Sequence, residues 1–593
     1  MSENNFDFAL AIGGEAGQGI ATPGDTLARI MVRRGLHVHT YNAFQSIIRG
    51  GHIFLTIRVA DKEVHSHGDK LDMLLALNQD TMDRHLRLLG SGAVALYNSD
   101  VIAPGEAASG VQLCPIPVNE LTGSTRAGLN QNTVALGAMM HLLGLDFSVL
   151  ETSITQQFAR KGEDVVNENI RVALAGFTHA QENFEPFTAP LPEGGEPQAM
   201  WSGNDAIAMG GAAAGVKFYA AYPMSPSTGV LHWYAQNARN LGIMVRQVED
   251  EIGVANMVIG AAHTGTRSMC STSGGGFALM TEAVGAASMM EIPCVYVNVQ
   301  RAGPSTGVPT KTEQGDLWQA LGASQGDFER FIVAPKDALD AFNTIPEVFN
   351  LTDKLQCPAI VLSDLLISEG RFSVDPKYIN FHPTIDRGEL ITQSDGEAGP
   401  YSRYKDTDTG VSPRAVPGVK GHVHTVATDE HDEDSGLLSD EFTNPLKRRA
   451  SVEKRARKFA NASSLMAPPV IEGNPNAEVT LVGWGSTEGV IKEAIEQLAD
   501  KGVIANQLAI KWIVPFHSEE IVNLLANKKF IIIENNYSGQ FARYLRSETG
   551  LTANGHIRKY DGEPFAPHHI SEGITEILNN DSTIFIPDQE VIV

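Results

Sequence analysis

Four short stretches between residues 220 and 317 carry the residue types that acid–base and carboxylate chemistry need. In AAYPMSPST, at 220–228, two prolines flank Ser225 after an apolar run, so the backbone is stiff and the hydroxyl is fixed in place. Such a hydroxyl suits substrate positioning; the alternative is a solvated serine in a proline-stiffened turn. VEDEIGVAN, at 248–256, sets Glu249, Asp250 and Glu251 at the start of a helix pattern, where the helix dipole favours acids. Glu251 leads directly into the apolar run IGVANMVIGAA, which marks it as the carboxylate drawn into apolar surroundings. STSGGGFALMTEA, at 271–283, is a glycine turn opening a helix, and VQRAGPSTGVPTKTEQGDL, at 299–317, follows an apolar strand with Arg301, Lys311 and several hydroxyls. An arginine at a strand's carboxyl end stands where α/β proteins bind ligands, and its guanidinium can clasp a carboxylate through two parallel hydrogen bonds. A surface arginine paired with a local acid is the other reading.

A fifth stretch lies near the N-terminus. GGEAGQGI, at 13–20, places Gly14, Gly17 and Gly19 where a strand passes into a helix, and exposed N–H groups at such a turn favour a phosphate or other anion. Tight packing alone would also demand these glycines. SIIRGGH, at 46–52, adds a second glycine turn beside Arg49 and His52, either a cradle for a polyanion or a polar hairpin. A dinucleotide fold would place an acid at the end of the second strand to hold the ribose, and Tyr41 and Asn42 stand there instead, so NAD binding is disfavoured.

The elements that must position these residues read as α/β throughout. An apolar strand from Phe6 to Ile12, the glycine turn, a helix ending near residues 33–35 and a strand at 37–42 predict the start of a parallel sheet in a domain spanning 1–184. The Pro-rich EPFTAPLPEGGEP then predicts a linker over 185–200. A second α/β domain over 201–370 has buried strands at 294–300 and 359–364. Over 371–465 the acidic run DEHDED (429–434) and the basic run KRRASVEKRARK (447–458) predict a solvated, self-neutralising connector or arm. His422, His424 and His431 nearby read as a surface cluster without a metal. Strands at 478–485 and 529–536 around an amphipathic helix at 488–501 complete a third α/β unit over 466–593.

The chain's 593 residues fit such an organisation, since a domain takes about 150 residues. With 45 basic and 70 acidic residues the net charge is -25, which argues against nucleic acid as a partner. The four cysteines (Cys114, Cys270, Cys294, Cys357) are far apart, as expected for small core residues of a reduced, cytoplasmic protein, and supply no iron–sulfur cradle. No apolar run is long enough to span a bilayer and the N-terminus lacks a signal pattern, so no membrane association is expected.

Taken in order, YPMSPST, EDEIGVAN, TSGGGFALMTEA and QRAGPSTGVPTKTEQGDL closely resemble the alpha subunit of the 2-oxoacid:ferredoxin oxidoreductases, especially the 2-oxoglutarate type. GGEAGQGI with IRGGH resembles the family's gamma domain fused at the N-terminus, and VGWGST with KWIVPF and IIENNYSGQFARYLR resembles its transketolase C-terminal-like domain. The resemblance implies a gamma-type α/β domain, a thiamine diphosphate pyrimidine-binding domain and a C-terminal transketolase-like domain. It implies oxidative decarboxylation of a 2-oxoacid on thiamine diphosphate, with electrons passed through iron–sulfur clusters to ferredoxin and the acyl group to coenzyme A. By position, Glu251 would bond the aminopyrimidine ring, Ser225 and Arg301 would hold the substrate's 1-carboxylate, and Lys311 would hold the distal carboxylate of 2-oxoglutarate or simply pair with the nearby Glu313. Gly14, Gly17, Gly19 and Arg49 would belong to the coenzyme A side. The family's commoner YPITPS has threonine where this chain has Ser225, which keeps the hydroxyl and loses a methyl. The chain contains no GDG motif for Mg²⁺ and the diphosphate. A separate beta subunit would therefore supply that half of the site and an iron–sulfur cluster, in a dimer of alpha–beta pairs.

Overall fold

The structure, a computed structural model, describes residues 6–45, 50–123, 131–187, 191–192, 194–394, 401–438, 444–580 and 582–588. The apolar run after Phe6 forms the strand Asp7–Ala16, and the glycine turn leads into the helix Ala21–Arg33 and the strand His37–Ala43, as the pattern predicts. The parallel sheet does not follow directly. The strand Gly50–Ala60 folds back and inserts antiparallel between Asp7–Ala16 and His37–Ala43. Only a short connection separates the last two strands, whereas a parallel crossover needs about a dozen residues, so a hairpin is the available solution. Gly50 and Gly51, both at positive φ, stand at the start of its returning strand. Parallel pairing begins on the other side, where Leu71–Ala76, Leu89–Asn98 and Gln112–Ile116 follow Asp7–Ala16 in order.

Two further strands of this eight-stranded sheet come from segments whose composition predicts a linker and a connector. Ala199–Trp201 and Phe372–Val374 pair antiparallel with each other, and the latter with His37–Ala43. The Pro-rich segment is held down as well: Gln198 N–H donates to Val32 O at 2.8 Å, and Arg34 Nη2 to Pro192 O at 3.3 Å. Residues up to Trp201 and Gly370–Tyr378 therefore belong to one compact unit, and Ser202–Glu369 with Ile379–Pro587 to another.

Among the described residues the second unit holds two large sheets and the small parallel pair Leu390–Ile391 with Arg414–Ala415. In the first, Met244–Gln247, Phe218–Ala221, Ser268–Thr272, Val295–Gln300, Ala359–Asp364 and Phe331–Val333 are parallel neighbours in that order, and Trp512–Val514 closes the edge antiparallel. Strands buried on both faces read as continuous apolar runs, which is why 295–300 and 359–364 were legible as such. The chain leaves Phe218–Ala221 toward Met244–Gln247 and returns on the other side of it as Ser268–Thr272. This reversal is the switch point where α/β sheets bind ligands, at the strands' carboxyl ends. The second sheet runs parallel through Ala505–Ile510, Val479–Trp484, Phe530–Glu534, Gly555–Arg558 and Ile584–Phe585, with Ile471–Gly473 antiparallel at its edge. One apolar cluster joins the two sheets, including Phe277, Tyr296, Ile332, Trp484 and Phe541.

The charged arm is not the solvated segment its composition predicts. Opposite charges do pair across it, Lys447 with Asp432 and Arg455 with Glu430. But the helix Pro445–Phe459 also buries Lys454 and Lys458 on Glu291, with Nζ–Oε distances of 2.8–3.0 Å. Arg403 donates to the Glu291 carbonyl oxygen at 2.8 Å. A second buried knot sets Arg267 Nε and Arg387 Nε 2.9 and 2.8 Å from Asp353. His422 and His431 pack on Tyr401 and Tyr404, and His424 on His263. All four cysteines are buried, and burial pushes the Cys114 and Cys294 thiols up to about 12. Among the described residues no helix is long and apolar enough to cross a membrane.

Candidate functional site

The carboxyl ends of Phe218–Ala221, Ser268–Thr272 and Val295–Gln300 bring Ser225, the triglycine turn and Arg301 together. Glu251 is the first residue of the helix Glu251–His263, whose start is capped by Asp250 Oδ1 accepting from Gly253 N–H at 2.6 Å. The division of labour among the three acids follows. Glu249 and Asp250 stay at the surface, while Glu251 is 4% exposed, with Oε1 buried and without a hydrogen-bond partner among the described residues. An unpaired buried oxygen is costly, so it points to a donor that the chain does not itself supply.

The triglycine turn explains its own composition. The helix Gly274–Met289 starts so close to these groups that a Cβ on Gly276 would lie 2.6 Å from Glu251 Oε1 and 2.1 Å from Thr272 Oγ1. A Cβ on Gly274 would lie 2.6 Å from the Asp316 carboxylate. Alanine ordinarily stabilises a helix interior by about 1 kcal/mol over glycine. Gly276→Ala should do the opposite for turnover, lowering kcat/KM at least about tenfold by displacing Glu251. Steady-state kinetics beside a far-ultraviolet circular dichroism spectrum that retains the wild-type helix content would check this.

Ser225 and Arg301 meet, through the backbone of the former. Arg301 Nη1 donates to the Ser225 carbonyl oxygen at 2.7 Å, and Nε is buried with no partner among the described residues. The turn carrying Ser225 is closed by Ser227 Oγ donating to Met224 O at 2.8 Å and held from below by Ser271 Oγ, which donates to Ser227 O at 3.4 Å and lies 2.6 Å from Tyr219 Oη. The guanidinium thus has one arm fixed and its buried Nε donor unpaired among the described residues at the switch point.

Asp316, which the sequence reading passed over, and Glu313, which it weighed only as a partner of Lys311, also lie here. Asp316 Oδ2 accepts from Asn298 Nδ2 at 3.0 Å. Burial pushes its carboxyl up to about 6, and burial with the neighbouring Asp316 pushes Glu313 to about 7. The acids of TEQGD were visible in the sequence, but the approach of Asp316 to the triglycine turn depends on the fold of a loop without regular structure. Lys311 is the least free of the predicted residues. Its ammonium pairs with Glu563, not with the Glu313 two residues away.

In the first unit, Gly17 and Gly19 adopt positive φ in the turn, whereas Gly14 lies within the strand, paired with Ile53. Asn132 Nδ2 holds the carbonyl oxygens of Gln18 and Gly19 at 2.6 and 3.1 Å. A cavity beside the turn is lined by Glu15, Gln45, Gly51, His52, Asn78, Asp80 and Arg84. Arg84 is paired with Asp80, so these residues leave no surplus positive charge for a polyanion. Arg49, the cation expected there, lies outside the described residues.

Comparisons with known proteins converge on one family. The family model "Pyruvate flavodoxin/ferredoxin oxidoreductase, thiamine diP-bdg" matches residues 209–444, "Pyruvate ferredoxin/flavodoxin oxidoreductase" matches 9–179, and "Pyruvate:ferredoxin oxidoreductase core domain II" matches 477–570. The chain is 31% identical to the 2-oxoacid:ferredoxin oxidoreductase 2 alpha subunit of Aeropyrum pernix, over 96% of this chain and 98% of that protein. It is 29% identical to the 2-oxoglutarate oxidoreductase subunit KorA of Mycobacterium tuberculosis, over 96% and 91% of the two chains. Among solved structures, the 2-oxoglutarate:ferredoxin oxidoreductase of Magnetococcus marinus, with 2-oxoglutarate, coenzyme A and succinyl-CoA bound, superposes with a TM-score of 0.89 at 31% identity, covering 96% of this chain and 99% of that one.

Proposed function

This chain belongs to the 2-oxoacid:ferredoxin oxidoreductase alpha-subunit family, and we propose that it is the alpha subunit of a 2-oxoglutarate:ferredoxin oxidoreductase, the 2-oxoglutarate synthase type. The overall reaction converts 2-oxoglutarate, coenzyme A and oxidised ferredoxin to succinyl-CoA, CO2 and reduced ferredoxin. The observation that carries this reading is the buried, unpartnered Oε1 of Glu251 at the mouth of the switch point, which fits the ring nitrogen of an aminopyrimidine. When bound, thiamine diphosphate supplies the electron sink for decarboxylation. Glu251 holds a proton between Oε1 and that ring nitrogen. Arg301, with one arm held by Ser225 O, turns its remaining donors to the substrate's 1-carboxylate, and the Ser225 hydroxyl orients it. Lys311 takes the distal carboxylate. Gly17, Gly19 and Arg49 belong to the coenzyme A side of the first unit, with Gly14 supporting the turn from the strand.

The rest of the machine lies on partners in this reading. A beta subunit supplies the diphosphate half of the site with Mg²⁺, and an iron–sulfur cluster through which electrons reach ferredoxin, in a dimer of alpha–beta pairs. The buried, separated positions of the four cysteines support that partition. The functional division runs as 1–184 gamma-type, 201–370 pyrimidine-binding and 466–593 transketolase-like, although strands of the first sheet come from 199–201 and 372–374. A second reading, the same chemistry on pyruvate or another 2-oxoacid, is favoured by the Glu563 carboxylate that already neutralises Lys311.

Copurification with the beta subunit under anaerobic conditions, followed by coenzyme A-dependent viologen reduction on a panel of 2-oxoacids, decides between them. The expected result is a kcat/KM for 2-oxoglutarate about tenfold or more above that for pyruvate, the discrimination one charge–carboxylate contact gives. The reverse order would overturn the assignment to 2-oxoglutarate.

A further inference from the structure

Lys311 sits on a loop that is closely tied to Arg301. Ala302 N–H donates to Lys311 O at 3.0 Å, and Lys311 N–H to Val308 O at 3.1 Å, so the lysine's backbone lies beside the residue that follows the arginine. On its other flank the loop is fixed to the second sheet's end. Thr312 N–H donates to Gly562 O at 3.0 Å. Gly562 has a φ of +85°, and a Cβ there would lie 2.9 Å from Lys311 Cβ, so the two backbones are in close approach. Gln314, 1% exposed, completes the attachment. Its N–H donates to Asn535 O at 2.7 Å, its Oε1 accepts from Asn535 N–H at 3.0 Å, and its Nε2 donates to Trp484 O at 2.7 Å. Asn535 Nδ2 in turn donates to Lys559 O at 3.0 Å and to Glu563 O at 3.4 Å.

The Lys311–Glu563 pair is therefore held from both backbones, and its side chains are only 16% and 21% exposed. A half-buried ammonium needs a counter-charge, and in the free protein Glu563 provides it. A substrate carboxylate reaching Lys311 would meet a site already filled by a carboxylate. We propose that Glu563 is a specificity-determining residue: it occupies Lys311 in the free enzyme, stays there when a monocarboxylic 2-oxoacid binds, and must yield when a dicarboxylic one does. This rests on the reading of Lys311 given above. Its consequence is a built-in penalty on dicarboxylates, which leaves the pocket tolerant of shorter 2-oxoacids.

The test uses the complex with its beta subunit and compares kcat/KM for 2-oxoglutarate and pyruvate in wild type, Glu563→Gln, Glu563→Asp and Lys311→Met. Glutamine keeps the shape and removes the competing charge, so the 2-oxoglutarate to pyruvate ratio should rise about tenfold, through KM for 2-oxoglutarate, as one charge-assisted hydrogen bond is released to the substrate. Aspartate reaches less far and should give a smaller rise, which serves if the glutamine variant folds poorly. A ratio that stays put or falls in both Glu563 variants, while Lys311→Met abolishes 2-oxoglutarate preference, overturns the role of Glu563 and keeps that of Lys311. A ratio unchanged in Lys311→Met overturns the assignment of Lys311 itself.

Discussion

Glutamine in place of Glu251 is expected to lower 2-oxoacid-dependent viologen reduction by about 10²–10⁴-fold, the range over which a positioned acid–base group contributes. The two side chains are nearly isosteric, and the surroundings that hold Glu251 in place, the Asp250 cap and the apolar run behind it, are untouched. What changes is the group facing the unfilled donor position, where a carboxyl oxygen able to take and release a proton gives way to an amide. The folded protein should tolerate this well, because the buried Oε1 has no partner among the described residues and an uncharged group there is less costly. The expected pair of results is therefore an unchanged or raised melting temperature beside a collapsed kcat. Turnover within a few-fold of wild type would remove Glu251 from the proton chemistry, and with it the main support for the thiamine assignment.

The places of Glu251, Arg301 and Ser225 in the fold were legible because each sits at a junction that sequence encodes locally: an acid opening an apolar helix, a cation ending an apolar strand, a hydroxyl between prolines. The strands at 295–300 and 359–364 are apolar along their length and were legible too, whereas the strand order and its reversal came only with the fold. Lys311 shows where local reading ends. The sequence offers Glu313 as its neighbour, yet its partner is Glu563, 252 residues away, brought in by backbone contacts at Gly562 and Asn535. The first unit shows a second limit. The order strand, helix, strand was right, but strand adjacency depends on connection length, and the short return to Gly50–Ala60 places an antiparallel strand in between. The arm shows a third. Its charge pattern is self-neutralising in the local pairs that composition can count, but Lys454 and Lys458 are four residues apart on one helix face, and that face is buried on an acid from a distant helix end.

That burial yields the largest stability effect expected in the molecule. Glu291 is 1% exposed and stands among Lys454, Lys458 and Arg403, one anion to three cations. Burial alone would push its carboxyl up, but Lys458, Lys454 and Arg403 outweigh it and hold it well below the ordinary carboxylate range. Burial, with Lys458 and Arg403 adding to it, brings the Lys454 ammonium down to about 8 despite its contact with Glu291. Glu291→Gln removes the carboxylate on which Lys454 and Lys458 are buried and should destabilise the docking of the helix Pro445–Phe459 by about 3–5 kcal/mol, the usual cost of breaking a buried pair from one side. Hydrogen exchange along that helix is the direct readout, since it reports local release without requiring the whole chain to unfold in one step. The pH dependence has a defined sign. A carboxylate held below its ordinary value of 4.5 contributes stability that is complete above that value and is lost as the pH falls below it, so the wild-type helix should lose protection in acid and the variant should lack that dependence. Adding Lys454→Met to Glu291→Gln removes one stranded cation and should recover part of the loss. Additive losses in the double variant would mean that Glu291 and Lys454 act independently and not as a coupled buried pair.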